Sequence, residues 1–373
     1  MKKNAVVDRA LLLSPDGFIA VESLNYEGEH LSDWVKSTAS QPNGKILVPG
    51  FVDLQIYGAA GKLFSADPSE ENLKIIEDEL LQQGCTSFYL CLATNTPEVF
   101  NRCISILKSA RANLQNCMGL HLEGPFLNPV KRGAHVASYI RKAELDEVKA
   151  LLDFGDGLIK MMTLAPELQD DNVIDFLLQQ GITVSLGHSN ATFEQANAAY
   201  NRGIQTTTHL FNAMSAIQHR APGIPTAVFN HPKAMASIIA DGLHVDFEIV
   251  KMAHKVMGSR LFLITDAVTD CDSGPYQHKA VDGKFILPDG TLSGSALSML
   301  QAVKNCVSFC GIALDEALRM ATLYPAKLIG EENQIGQLVE GAKANIVQLS
   351  DKLELERVIF KGQEIQLNDR QSY

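Results

Sequence analysis

Thr183-Val184-Ser185-Leu186-Gly187-His188 opens a passage that runs past Thr192 through a helix-like stretch to Arg202, turns at Gly203, and ends Thr206-Thr207-Thr208-His209. Its first run is short and apolar and its last is β-branched, as strands prefer. Between them lies an amphipathic stretch, with a glycine to end it. Strand, helix and strand in so short a compass make a parallel pair joined by a crossover helix. Both strands finish on a histidine.

The same alternation extends in both directions. Short apolar runs stand at residues 51–56, 86–93, 119–122, 158–164, 183–186, 206–209, 236–240 and 261–264. Helix-like stretches are predicted at 70–83, 97–113, 171–180, 192–202 and 247–257. Pro68-Ser69 and Asn95-Thr96-Pro97 are entry signals, and Gly84, Gly181 and Gly203 stand at exits. Eight strands alternating with helices predict an α/β fold, a TIM-like (β/α)8 barrel. An open doubly wound sheet is the competing arrangement, but no strand leads into the G-x-G-x-x-G turn of a dinucleotide fold.

The two chain ends read differently. Ala5-Val6-Val7, Ala10-Leu11-Leu12-Leu13 and Gly17-Phe18-Ile19-Ala20 are short strand signals, matched late in the chain by 344–349 and Arg357-Val358-Ile359-Phe360. We expect residues 1–48 and 338–373 to form a small β-sandwich-like domain beside a barrel spanning 49–337.

A net charge of −11 argues against a nucleic-acid binder, which needs basic surface to neutralise phosphates. One small anionic ligand remains compatible, since one or two cations and backbone N–H groups suffice for it. No run reaches the length of a membrane span, and Asp8 and Arg9 interrupt any signal-peptide core. Cys85, Cys91, Cys103, Cys117, Cys271, Cys306 and Cys310 are odd in number, form no C-x-x-C pair and sit in apolar segments. They read as reduced thiols in a cytoplasmic protein.

The chemistry gathers where the strands end, which in a barrel is the catalytic rim. The third run ends His121-Leu122-Glu123-Gly124-Pro125, the fifth at His188, the sixth at His209, the seventh Asp241-Gly242-Leu243-His244, and the eighth Thr265-Asp266. Any one of these has an ordinary structural reading, Glu123 as a turn cap for instance. Five consecutive polar strand ends are harder to dismiss. Two imidazoles and a carboxylate, with a fourth position left open, suit a catalytic zinc or iron ion, whereas a structural zinc is closed by four ligands and favours cysteine. Such an ion acidifies water toward neutrality, and Asp266 is placed to take its proton and deliver it to a leaving group.

Val48-Pro49-Gly50-Phe51-Val52-Asp53 resembles the opening of an amidohydrolase-superfamily barrel. His121-Leu122-Glu123-Gly124-Pro125-Phe126, Gly187-His188-Ser189-Asn190-Ala191, Thr208-His209-Leu210-Phe211-Asn212-Ala213-Met214 and Leu292-Ser293-Gly294-Ser295-Ala296-Leu297 resemble the N-acetylglucosamine-6-phosphate deacetylases in order and spacing, over about residues 45–350. The resemblance implies hydrolytic removal of the acetyl group from a phosphorylated N-acetyl amino sugar, in amino-sugar catabolism. It implies one divalent ion per subunit on Glu123, His188 and His209, with Asp266 as catalytic acid and base. His135, beside Ala134, would polarise the acetyl carbonyl. Asn212, Ala213, Arg220 and His244 would take the sugar phosphate, Arg220 as a planar fork, and Leu292, Ser293 and Gly294 would line the pocket. A homodimer is also implied. His219 and His231 match no family site and are expected to be loop or helix-end residues.

Two features depart from the wider superfamily. Gln55 and Tyr57 stand where many members carry His-x-His, so a second metal lacks its ligands. The stretch Val268-Thr269-Asp270-Cys271-Asp272-Ser273-Gly274 is unusual and bears on pocket shape. Three other functions compete: the same reaction on N-acetylgalactosamine 6-phosphate, an amidohydrolase acting on a cyclic amide, and a non-catalytic sugar-phosphate sensor. The missing His-x-His and the His121–Phe126 segment weigh against the second. A proton shuttle beside the metal weighs against the third.

Overall fold

The computed structural model describes residues 4–6, 9–37 and 44–368. Eight parallel strands form one sheet whose spatial order follows the chain: Phe51–Ile56, Cys85–Ala93, Cys117–Glu123, Ile159–Leu164, Thr183–Leu186, Thr206–Thr207, Met235–Ile238 and Leu261–Leu263. The eighth returns to the first through a parallel bridge between Ile56 and Ala267. There the Asp266 amide donates to the Gln55 carbonyl at 2.9 Å, and the Tyr57 amide to Ala267 at 2.9 Å. The sheet thus closes as the expected barrel. Phe51–Ile56 is buried at every position, because helices cover the outside and side chains fill the inside. That double burial is what writes such strands as unbroken apolar runs.

Local signals set the helix ends. Ser69 caps Glu70–Gln82 by accepting from the Asn72 amide. Thr192 and Gln195 form a reciprocal capping box at the start of Phe193–Arg202, which Gly203 ends at φ 125°. The stretch expected as one helix over 97–113 is α-helical only to Ala110, and Arg111–Asn113 tightens into a 3-10 turn.

The chain ends pair as expected. Lys45–Pro49 runs antiparallel to Ile346–Ser350, with Val48 opposite Val347. They join one sheet in the order Asn4–Val6, Gly17–Glu27, Ala10–Ser14, Lys45–Pro49, Ile346–Ser350, Leu355–Phe360 and Gln363–Ile365, while His30–Lys36 also pairs with Gly17–Glu27. Val7 lies outside the described residues. Leu12, Leu24, Leu47, Leu338, Ile346 and Ile359 are packed in a core of this sheet's own. Among the described residues no helix is long and apolar enough to cross a membrane.

Candidate active site

A cavity opens among the C-terminal strand ends, where a barrel gathers its chemistry. Glu123, His188, His209 and Asp266 all line it. Three of them sit in left-handed backbone: His188 at φ 46°, His209 at φ 32° and Asp266 at φ 54°. For residues with a side chain that conformation costs about 1–3 kcal/mol each. It turns each side chain sharply off its strand, and the surrounding barrel holds it there.

Hydrogen bonding fixes what the imidazoles present. The Lys131 carbonyl accepts from His188 Nδ1 at 3.0 Å, so the ring's proton is on Nδ1 and Nε2 carries a lone pair. Nε2 faces Glu123 Oε1 at 3.1 Å and His209 Nε2 at 3.0 Å. His209 Nε2 is itself 3.0 Å from Oε1, and its buried Nδ1 has no partner among the described residues. Three such atoms, crowded pairwise, repel unless positive charge lies among them. Atoms about 2.0–2.2 Å from a shared zinc ion in tetrahedral array stand about 3.3–3.6 Å apart, and slightly less when the angles close. The donor set therefore fits a divalent cation.

Glu123, His135 and His188 also lie close enough together to hold an ion. The tautomer of His135 argues against that set. The Thr94 backbone N–H can only donate, and it points at His135 Nδ1 at 3.2 Å. The proton is thus on Nε2, which donates to Glu123 Oε2 at 3.1 Å. His135 therefore offers the cavity an N–H group.

Gln55 and Tyr57 have work that sequence reasoning did not foresee. Gln55 Nε2 donates to Asp266 Oδ1 at 2.6 Å and to Glu123 Oε1 at 3.0 Å, and lies 3.0 Å from the Tyr57 hydroxyl. Tyr57 donates to Glu123 Oε2. The two side chains therefore tie the carboxylates together at the end of the first barrel strand. Burial would raise Glu123, but His188 and His135 outweigh it and hold the carboxyl well below its usual range. Burial and the adjacent Glu123 charge push Asp266 up to about 8. One carboxyl is kept ionised and its neighbour is primed to carry a proton.

His121, by contrast, is structural. Its Nδ1 donates to the Leu54 carbonyl at 3.0 Å and its Nε2 meets Thr163 Oγ1 at 2.7 Å. Ala134, His135, Asn212, Ala213, His244, Leu292, Ser293 and Gly294 all line the cavity. His244 Nδ1 is paired with Asp241 Oδ2 at 2.6 Å. Arg220 is not brought to this wall. It is exposed and borders a neighbouring depression with Lys131, Asn190 and Thr192. The cause is local: Gln218 and Ala221 exchange backbone hydrogen bonds at 3.0 and 3.1 Å, and the tight turn between them carries Arg220 outward. His231 ends its helix by accepting from the Ala234 amide at 2.8 Å, while His219 is exposed. Tyr276 and His278 also line the cavity, and no sequence motif flagged them.

A model of the Amidohydrolase family matches residues 46–365. The N-acetylglucosamine-6-phosphate deacetylase of Homo sapiens is 36% identical over 341 residues, covering 86% of this chain and 83% of that one. The protein of the same name from Haemophilus influenzae is 33% identical over 330 residues, 86% of each chain. The crystal structure of N-acetylglucosamine-6-phosphate deacetylase from Pasteurella multocida superposes with a TM-score of 0.92 at 33% identity, over 98% of this chain and 100% of that one.

Proposed function

Because the chain belongs to the amidohydrolase family and, within it, to the N-acetylglucosamine-6-phosphate deacetylases, we propose that it hydrolyses N-acetyl-D-glucosamine 6-phosphate to D-glucosamine 6-phosphate and acetate. The observation that carries this reading is the crowding of Glu123 Oε1, His188 Nε2 and His209 Nε2 at 3.0–3.1 Å beside a buried Asp266. Those three residues would hold one divalent ion, zinc or iron. When bound, such an ion supplies water acidified toward neutrality and polarises a carbonyl.

The protein's own groups do the rest. His135 Nε2–H donates to the acetyl oxygen as negative charge grows there. Asp266 removes the proton of the attacking water and returns it to the amine nitrogen as the C–N bond breaks. Gln55 orients Asp266 through its 2.6 Å hydrogen bond. Asn212, Ala213 and His244, which line the cavity, take the phosphate. Leu292, Ser293 and Gly294 form the facing wall. We read the chain as a cytoplasmic homodimer acting in amino-sugar catabolism.

Acetate release from a panel of N-acetylhexosamines, with and without a 6-phosphate, tests the reading. Turnover confined to the phosphorylated sugars is expected. A preference for unphosphorylated sugars would remove the phosphate role of His244, and no acetate from any would sink the activity.

A further inference from the structure

His278 is a polar group on the cavity wall to which none of these roles falls. It is only 5% exposed and lines the cavity beside Val268, Tyr276 and Ser293. Its Nδ1 lies 2.9 Å from Ser293 Oγ. Its Nε2 has no partner among the described residues. The ring stacks near Tyr276, 6.2 Å between centroids and 16° between planes. The Tyr276 hydroxyl is turned the other way, donating to the Thr94 carbonyl. His278 lines the cavity, and Nε2, which the protein leaves without a partner among the described residues, is free to meet a bound molecule there.

The chemistry of the missing partner follows from the pair. Burial holds the imidazole at about 4, so the ring is neutral near pH 7. Ser293 can donate to Nδ1, leaving a proton on Nε2, or accept from it, leaving Nε2 a lone pair. Nε2 is therefore a neutral atom able to donate or accept. A phosphate only accepts and calls for positive charge, and the acetyl oxygen is met by His135. A sugar hydroxyl both donates and accepts without charge.

We propose that His278, backed by Ser293, receives a ring hydroxyl of the amino sugar and so sets which hexosamine the enzyme prefers. The assignment rests on the deacetylase reading above. It makes His278 a specificity residue on the same cavity wall.

The test is a kinetic cycle on the full-length, metal-loaded protein. Wild type, His278→Phe and His278→Gln are compared on N-acetylglucosamine 6-phosphate, its 4-epimer, and the 3-deoxy and 4-deoxy analogues. Metal content and thermal melting are followed for each protein. His278→Phe is expected to lower kcat/KM on the parent sugar about 10- to 100-fold. Removing the contacted hydroxyl should cost wild type a similar factor and cost the variant almost nothing further. His278→Gln should restore part of the loss and narrow the gap between epimers less than His278→Phe does. Should His278→Phe fail to fold, Ser293→Ala removes the ring's backing and carries the same cycle. Losses that multiply on every deoxy analogue, or values within twofold of wild type throughout, would overturn the assignment alone. No acetate release by wild type would overturn the deacetylase reading and this assignment with it.

Discussion

Replacing Tyr57 with phenylalanine deletes one oxygen from the middle of the site and leaves the ring in place. The hydroxyl donates to Glu123 Oε2, which keeps a second donor in His135 Nε2 at 3.1 Å. Gln55 loses a 3.0 Å partner but retains Glu123 Oε1 and Asp266 Oδ1. The net loss is thus one hydrogen bond to a carboxylate, about 1.5–3 kcal/mol. Because that bond fixes which oxygen Glu123 turns toward His188 and His209, the loss should appear in metal binding as about 10- to 100-fold weaker affinity. Competition with a chromogenic chelator would measure it on Tyr57→Phe and wild type, with stoichiometry checked by elemental analysis. A value within twofold of wild type would refute the idea that Tyr57 orients Glu123. A melting temperature that fell equally with and without metal would mean the hydroxyl serves the fold alone.

Asp266→Asn should cut kcat by about 10²- to 10⁴-fold while metal content is unchanged; near-normal turnover would remove Asp266 as the proton carrier. Gly124→Ala places a Cβ 2.1 Å from Thr94 Oγ1 at φ 87°, and Thr94 anchors His135, so kcat should fall further than metal affinity does. Unaltered kcat in a folded Gly124→Ala protein would break that chain of reasoning. Burial sets Asp53 at about 6 rather than 3.8. The folded protein therefore keeps this proton to higher pH than the unfolded chain. Its contribution to stability falls by about 3 kcal/mol as pH rises from about 4 to about 6, then levels. Asp53→Asn should flatten that slope in urea titrations of metal-free protein, and parallel wild-type and variant curves would count against it.

The barrel was legible because strands buried on both faces leave continuous apolar runs, and its rim was legible because those runs end in residues that apolar cores exclude. Glu123, His188, His209 and Asp266 needed nothing more than that. Gln55 and Tyr57 could be read only as ligands lost, since their hydrogen bonds join positions up to 211 residues apart. The sixth strand, read as 206–209, is only Thr206–Thr207; His209 bonds through its amide to Ser237 Oγ at 2.8 Å instead. Arg220 was placed by motif, yet the Gln218–Ala221 turn decides where it points. His278 was invisible because its partner Ser293 arrives across the Lys279–Val281 and Lys284–Ile286 hairpin, whose strands are too short to leave a pattern.

The closure of the chain on itself has a further consequence. The first and eighth barrel strands meet through Ile56 and Ala267, and the terminal segments meet through Lys45–Pro49 and Ile346–Ser350. Mechanically the described molecule is closed twice. A chain shortened before Ile346 would keep only one, and Lys45–Pro49 would become a bare strand edge. Such an edge seeks a strand from another molecule, so swapped or aggregated chains, rather than a gently weakened monomer, would be the first sign of the loss.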